Sequence, residues 1–323
     1  MQLLFLGTSG GTPTKERNVS GCAIKMLDSK SWILVDCGEG TQHQILHTPL
    51  SMEHLSAICI THVHGDHCYG LPGLLASAVM NKRTKPLVII APQEIQTFLE
   101  VTLRMTKLTL SFELSFIDVK TITTSLDIGD FQMNTIVLSH DVDSYAFTFY
   151  EQNIKAKLNI QKLQNEGIKP GVTWSQLQKG ERVTLANGKS LESKDYLLKK
   201  REARSIIIAG DNDDPERLLG EASRSDILVH EATFLHKTLL HIGESLRHSS
   251  AKKIADLAQK SRINNLILTH FSARYQKQSS KTESVIDIEN EAKAHYDGNL
   301  FLANDFDSFT LTREGVLKFE SGI

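Results

Sequence analysis

The feature that most constrains this chain is an apolar strand that runs straight into a dense set of polar ligands. Ala57-Ile-Cys-Ile60 has the composition of a buried strand, and Thr61-His62-Val63-His64-Gly65-Asp66-His67 follows it without a break. Three imidazoles and a carboxylate this close together are too polar for a core. Histidine nitrogen and carboxylate oxygen suit zinc or a similar divalent ion. In an extended segment, side chains two apart point the same way, so His62 and His64 can grip one ion. Gly65 allows a turn that offers Asp66 and His67 to a second.

Further ligands are expected one step past other apolar strands, where a rigid element aims them. Three positions meet that condition: His140 after Phe131 to Leu138, Asp211 after Ile206-Ile-Ile-Ala-Gly210, and His270 after Leu266-Ile-Leu-Thr269. Asp213 and Asp214 compete with Asp211, which stands nearest its strand. His43 and His47 also have a ligand spacing, i and i+4 on an expected helix, but no third ligand lies near them in the sequence, and packing or surface roles account for them.

The rest of the chain supplies an α/β frame. Strands are expected at 3–6, 23–26, 32–35, 57–60, 87–90, 113–117, 131–138, 145–150, 205–209, 227–230, 266–269, 299–302, 308–311 and 316–319. Helices are expected at 38–47, 71–80, 92–105, 215–220, 249–260 and 283–295. A strand-rich first half and an α/β second half predict two packed sheets flanked by helices, in one domain over residues 1–323. The rhythm breaks at residues 153–204. That segment holds twelve Lys or Arg and five Asp or Glu, a net charge of +7, which leaves −9 on the remainder of a chain whose total is −2. Bulk charge therefore gives no sign of a nucleic-acid partner, whereas the inserted segment does.

Four cysteines without CxxC spacing exclude a disulfide framework. No apolar run approaches the roughly 20 residues that cross a bilayer, and the opening Met1-Gln-Leu-Leu-Phe-Leu-Gly7 reads as a strand and not as a secretory signal. The expected location is a reducing cytoplasm, with no membrane partner.

With these residues in view, His62-x-His64-x-Asp66-His67 and the later His140, Asp211 and His270 resemble the metallo-β-lactamase superfamily. The resemblance implies a four-layer αββα sandwich and two zinc ions. His62, His64 and His140 would hold one ion, Asp66, His67 and His270 the other, and Asp211 would bridge them. The superfamily motif does not fix a substrate. Other segments resemble the ribonuclease Z family: Pro13-x-Lys15-x-Arg17-Asn18, Asp36-Cys-Gly-Glu-Gly-Thr-Gln42, Ser139-His140-x-x-x-Ser144-Tyr145, His230-Glu-Ala-Thr-Phe234 and Thr269-His-Phe-Ser-x-Arg274-Tyr275. Two departures stand out. Val172 follows Gly171 in the stretch Gly167-Ile-Lys169-Pro170-Gly171, and Asn212 stands where the family usually has threonine after the bridging aspartate.

What this second resemblance implies is an endoribonuclease that removes the 3′ trailer of precursor tRNA, leaving a 3′-hydroxyl on the tRNA and a 5′-phosphate on the trailer. Lys15, Arg17, Asn18 and Arg274 would touch substrate. Gly167, Lys169, Pro170 and Gly171 would do so from a protruding basic arm, residues 153–204, that clasps the tRNA. A homodimer is implied, with one subunit's arm serving the other's site. Asp66 would accept the proton of the attacking water. His248, oriented by Glu231, is the candidate donor to the leaving ribose oxygen. The competing expectation is a dinuclear-zinc hydrolase of small esters, sulfates or cyclic phosphodiesters, which would have no use for a basic arm.

Overall fold

The computed structural model describes residues 1–154, 156–198, 201–243, 246–275 and 283–322. Lys155, Lys199 and Lys200, three of the basic residues counted above, lie outside the described residues. By its internal packing the chain divides into two compact units. One comprises Met1–Tyr150 with Arg204–Ile323, and the other Glu151–Ala203.

The larger unit is built on two sheets. The first has eight strands in the spatial order Leu317–Glu320, Ser308–Leu311, Gln2–Gly7, Gly21–Lys25, Trp32–Val35, Leu55–Cys59, Leu87–Ala91 and Leu114–Asp118. The second has seven, in the order Asn299–Leu302, Asn265–Thr269, Ile227–Glu231, Ser205–Ala209, Tyr145–Glu151, Phe131–Val137 and Leu126–Ile128. Side chains alternate between the two faces of a strand, and Ser205–Ala209 shows the consequence. Ile206 and Ile208 face inward with Phe5, Ile24 and Val35 of the first sheet, forming the core between the sheets. Ile207 faces outward and packs with Ile254, Leu257 and Ile288 of the helices Ala251–Ser261 and Val285–Lys293. The first sheet does the same: Leu34, Ile58 and Ile89 turn outward against Leu71, Leu74 and Leu75 of the helix Leu71–Met80 and Ile95 and Leu99 of the helix Gln93–Thr106. Helix, sheet, sheet and helix thus form the four-layer sandwich expected from the sequence.

Both sheets contain a run of parallel strands. Trp32–Val35, Leu55–Cys59, Leu87–Ala91 and Leu114–Asp118 are parallel in the first, and Ser205–Ala209, Ile227–Glu231, Asn265–Thr269 and Asn299–Leu302 in the second. Parallel runs gather their carboxyl ends on one edge, where open α/β sheets place ligands. No helix among the described residues is long and apolar enough to cross a membrane.

Several expected elements shift. The expected helix at 38–47 is confined to Thr41–Leu46, because Gly40 takes a left-handed conformation at its N-cap. The expected helix at 215–220 opens as a 3-10 turn, Pro215–Leu218, before one α-turn, Leu219–Ala222. His236–Ile242 forms a helix that the sequence analysis did not anticipate.

The smaller unit has a core of its own. Leu163, Ile168, Leu177, Val183, Leu191 and Tyr196 pack together, with Trp174 against them. Two short helices, Ile160–Asn165 and Val172–Gln178, and a hairpin, Val183–Thr184 with Ser190–Leu191, supply these side chains. Asn159 caps the first helix by accepting from Lys162 N at 3.0 Å, and Gly167 at φ 70° ends it. Trp174 donates to Ile168 O at 3.1 Å and so anchors the turn between the helices. The described lysines of the inserted segment are carried on this folded piece, with Lys189 and Tyr196 both bonded to Glu166.

Candidate metal centre

Thr61 and His62 continue the buried strand Leu55–Cys59 and are themselves fully buried. His64 then caps a single helical turn, Gly65–Cys68, which swings Asp66 and His67 back toward the sheet edge. A β-carbon at Gly65 would come within 2.2 Å of the Tyr69 ring and displace that exposed side chain.

The structure brings all seven expected ligands together. His62, His64, His140 and Asp211 offer ligand atoms within 4.8 Å of one another, and so do Asp66, His67 and His270. In the first group His64 Nδ1 lies 3.2 Å from both His62 Nε2 and His140 Nε2. In the second, His67 Nε2 and His270 Nε2 are 3.2 Å apart, and His270 Nε2 is 3.3 Å from Asp66 Oδ2. Asp211 stands between them. Its Oδ2 is 3.7 Å from His62 and 3.9 Å from His140, and its Oδ1 is 3.5 Å from His67 and 3.3 Å from His270.

Ring nitrogens on the far side of the cluster are held by the fold. His67 Nδ1 donates to Asp36 Oδ2 at 2.8 Å, and Asp36 also accepts from the backbone and hydroxyl of Thr61. His140 Nδ1 donates to the Arg247 carbonyl at 2.8 Å. His270 Nδ1 lies 2.9 Å from Thr233 Oγ1, whose hydroxyl donates to Glu231. Such outer contacts fix the tautomer and orientation of metal-binding histidines. Asp36, Thr61 and Thr233 stand in motifs quoted above, but which ring Asp36, Thr233 and Arg247 support shows only in the tertiary fold.

The donor set fits a divalent cation. Asp211 Oδ1 is buried and has no hydrogen-bond partner, so its charge needs a cation. Burial, reinforced by the neighbouring His67, holds His62 well below the ordinary histidine range, which keeps it neutral as a ligand must be. Burial would lower His67 too, yet Asp211, Asp36 and Asp66 together raise it well above that range. The carboxylates thus create a field that draws positive charge into the site.

His248 adjoins the second group. Its Nδ1 is 3.0 Å from Glu231 Oε2 and 3.7 Å from Asp211 Oδ2. Burial opposes its protonation, but the Glu231 and Asp211 carboxylates raise its pKa to about 10. Glu231 is buried and also accepts from Asn212 N at 2.8 Å, so one carboxylate steadies His248, the backbone beside Asp211, and His270 through Thr233.

The expected substrate contacts divide. Lys15 is exposed. Arg17 is buried instead: its guanidinium donates to Thr8 Oγ1, Ala303 O and Asn304 Oδ1 and lies over the Phe271 ring. Those bonds commit it to holding the loop of residues 8–18. Asn18 donates to Glu39 O at 2.9 Å. Arg274 is exposed and lies over Phe234, whose ring is 6.0 Å from that of His248. Gly167, Lys169, Pro170 and Gly171 are exposed residues of the smaller unit.

Two groups of ligands sharing one carboxylate, at the edge of an αββα sandwich, define a hydrolase of the metallo-β-lactamase fold. Comparison with known proteins narrows this. The family described as Anti-Pycsar protein Apyc1 matches residues 1–162, a stretch that stops short of Asp211, His248 and His270. Over the whole chain, Ribonuclease Z of Pseudomonas putida (strain W619) is 46% identical, with 100% of both chains covered. Ribonuclease Z of Marinobacter nauticus is 44% identical, with 97% of each covered. The crystal structure of the short form of human tRNase Z shares the fold, with a TM-score of 0.65 and 23% identity over 97% of this chain and 100% of that one. The chain belongs to the ribonuclease Z family.

One consequence of the packing is testable. A methyl group on Gly10 would sit 2.6 Å from His270 Nδ1. Gly10→Ala is therefore expected to displace His270 and weaken retention of metal at the Asp66, His67 and His270 group, by on the order of 10–100-fold in affinity, while the sandwich stays folded. Chelator competition with elemental analysis measures this, and wild-type retention would contradict the packing described.

Proposed function

We propose that the chain is a zinc-dependent endoribonuclease that removes the 3′ trailer from precursor tRNA. The observation that carries this reading is a pair of His/Asp groups sharing Asp211, with the His248–Glu231 pair against them. Full-length membership in the ribonuclease Z family supplies the substrate class. His62, His64 and His140 would hold one zinc ion, Asp66, His67 and His270 a second, and Asp211 both. Zinc so held would supply Lewis acidity, making water nucleophilic near neutral pH and offsetting charge that develops on the phosphate.

The remaining work belongs to the protein. Asp66, which accepts from Gly11 N at 2.8 Å, would accept the proton of the attacking water. A 3′-hydroxyl on the tRNA body and a 5′-phosphate on the trailer require the bond from phosphorus to the 3′-oxygen to break. The leaving group is therefore the 3′-oxygen and not the 5′-oxygen, and it must gain a proton. The Glu231 carboxylate favours a protonated His248 and engages its Nδ1, which leaves Nε2 to donate. Lys15, Arg274 and the basic residues of Glu151–Ala203 would meet RNA phosphates. A homodimer in which each arm serves the partner's site, and a cytoplasmic location, complete the proposal. A hydrolase of small esters, sulfates or cyclic phosphodiesters would use the same ligands but leaves the +7 segment without a role.

His248→Ala is expected to keep its metal and lose on the order of 10²–10⁴-fold in kcat, the range for a lost general acid. Single-turnover cleavage of a precursor tRNA, with metal content measured in parallel, tests this. Undiminished turnover would remove His248 from the mechanism.

Tyr150 and Ser205 are paired neighbours across the sheet, so residues 152–203 can be replaced by a short Gly/Ser linker. Hydrolysis of bis(p-nitrophenyl) phosphate should persist in that variant. Precursor tRNA cleavage should weaken, chiefly through KM, and the salt dependence of tRNA binding should flatten, because fewer counterions are released. An unchanged salt slope would assign the segment no part in RNA binding and would favour a small substrate.

A further inference from the structure

Arg247 is the residue just before His248, and three of its atoms engage the loops that carry the site. Its carbonyl accepts from His140 Nδ1 at 2.8 Å. Its Nη2 donates to Ser139 Oγ at 2.9 Å, and its Nε lies 3.3 Å from Asp213 Oδ2. The ring of contacts is closed by Asp213 N, which donates to Ser139 O at 2.9 Å. Ser139 precedes the ligand His140, Asp213 lies two residues past the ligand Asp211, and Arg247 precedes the proton donor. Three separate loops, following the strands Phe131–Val137 and Ser205–Ala209 and preceding the helix Ala251–Ser261, therefore meet on one guanidinium.

The backbone at Arg247 gives this contact its significance. Arg247 sits at φ 49°, in the left-handed region that residues with a β-carbon avoid. That conformation persists only where the surroundings enforce it. Here it aims the carbonyl at His140, while the guanidinium is held by its hydrogen bond to the Ser139 hydroxyl and its ion pair with Asp213.

We propose that Arg247 is a positioning residue: its side chain holds its own backbone in the left-handed conformation, and thereby orients the His140 ring and places His248. This rests on the site being the metal-dependent hydrolase centre described above. A cleft of about 430 Å³ beside His140 is also lined by Arg247, together with Ser139, Asp141 and Arg217, so a direct phosphate contact is the role to be distinguished.

Three variants do so, with metal affinity measured by chelator competition and kcat and KM measured on both bis(p-nitrophenyl) phosphate and precursor tRNA. Arg247→Ala should weaken metal binding by on the order of 10–100-fold. It should lower kcat on both substrates together and leave the KM for tRNA little changed. Arg247→Gly should be less impaired than Arg247→Ala, since glycine takes the left-handed conformation without steric cost and keeps the carbonyl near His140. His140→Ala is the control for the site itself. If metal affinity survives His140→Ala, the ligand assignment has failed and this inference with it. If affinity is lost there but intact in Arg247→Ala, with kcat unchanged, the positioning role alone is overturned. A loss confined to KM for tRNA, with a flatter salt dependence, would make Arg247 a phosphate contact instead.

Discussion

Asp211 sets the terms for the rest of the site. Its carboxylate is buried, and one of its oxygens accepts no hydrogen bond. An ionised carboxylate withdrawn from water is costly unless positive charge meets it. His67, His270 and His248 pull its pKa down despite that burial, so it stays charged. Around it stand five imidazoles at 3.3–3.9 Å. Like-charged rings cannot all carry protons at that spacing, and neutral rings would leave Asp211 unmet. Cations held between rings and carboxylate resolve both problems. The two sheets packed over Phe5, Val35, Ile206 and Ile208 supply the rigidity that keeps such a charge-laden edge from relaxing.

The sequence showed the parts of this design that one strand encodes by itself. Ile206-Ile-Ile-Ala209 reads as a strand because its apolar residues run without interruption, and Asp211 reads as a ligand because it comes just after. The same logic placed His62, His64, His140 and His270 near the right edge. The supports around them were not legible. Asp36 is bonded to His67 across 31 residues and Thr233 lies beside His270 across 37, and nothing in local composition links either pair. Arg17 looked like a cation for phosphate, and only the fold shows that its guanidinium is spent on Thr8, Ala303 and Asn304. The segment after Glu151 gave no clear elements because its helices span only six and seven residues, too short for a hydrophobic period to emerge among the lysines.

Charge is segregated as well as structure. The larger unit carries buried carboxylates and histidines, and the segment that begins at Glu151 carries the basic excess on a small core of Leu163, Ile168, Leu177 and Tyr196. Binding an RNA through phosphates draws on many exposed cations, each contributing a little and each sensitive to salt. Cutting one phosphodiester draws on a few buried groups fixed to within fractions of an ångström. These demands conflict within a single surface: exposed lysines tolerate motion, and the ligands around Asp211 do not. Under the proposed function, a folded insert between the strands Tyr145–Glu151 and Ser205–Ala209 would let one chain meet both.

The proposed reaction is hydrolysis by water at a metal centre, with the 3′-oxygen of the tRNA body leaving. Mapping both ends of the cut on a precursor tRNA with a 3′ trailer, before and after chelation, tests it most directly. The expected products are a 3′-hydroxyl on the tRNA and a 5′-phosphate on the trailer, with cleavage lost on chelation and restored by zinc. A 2′,3′-cyclic phosphate on the tRNA, which would mean attack by the neighbouring ribose hydroxyl and not by water, or cleavage that survives complete removal of metal, would contradict it.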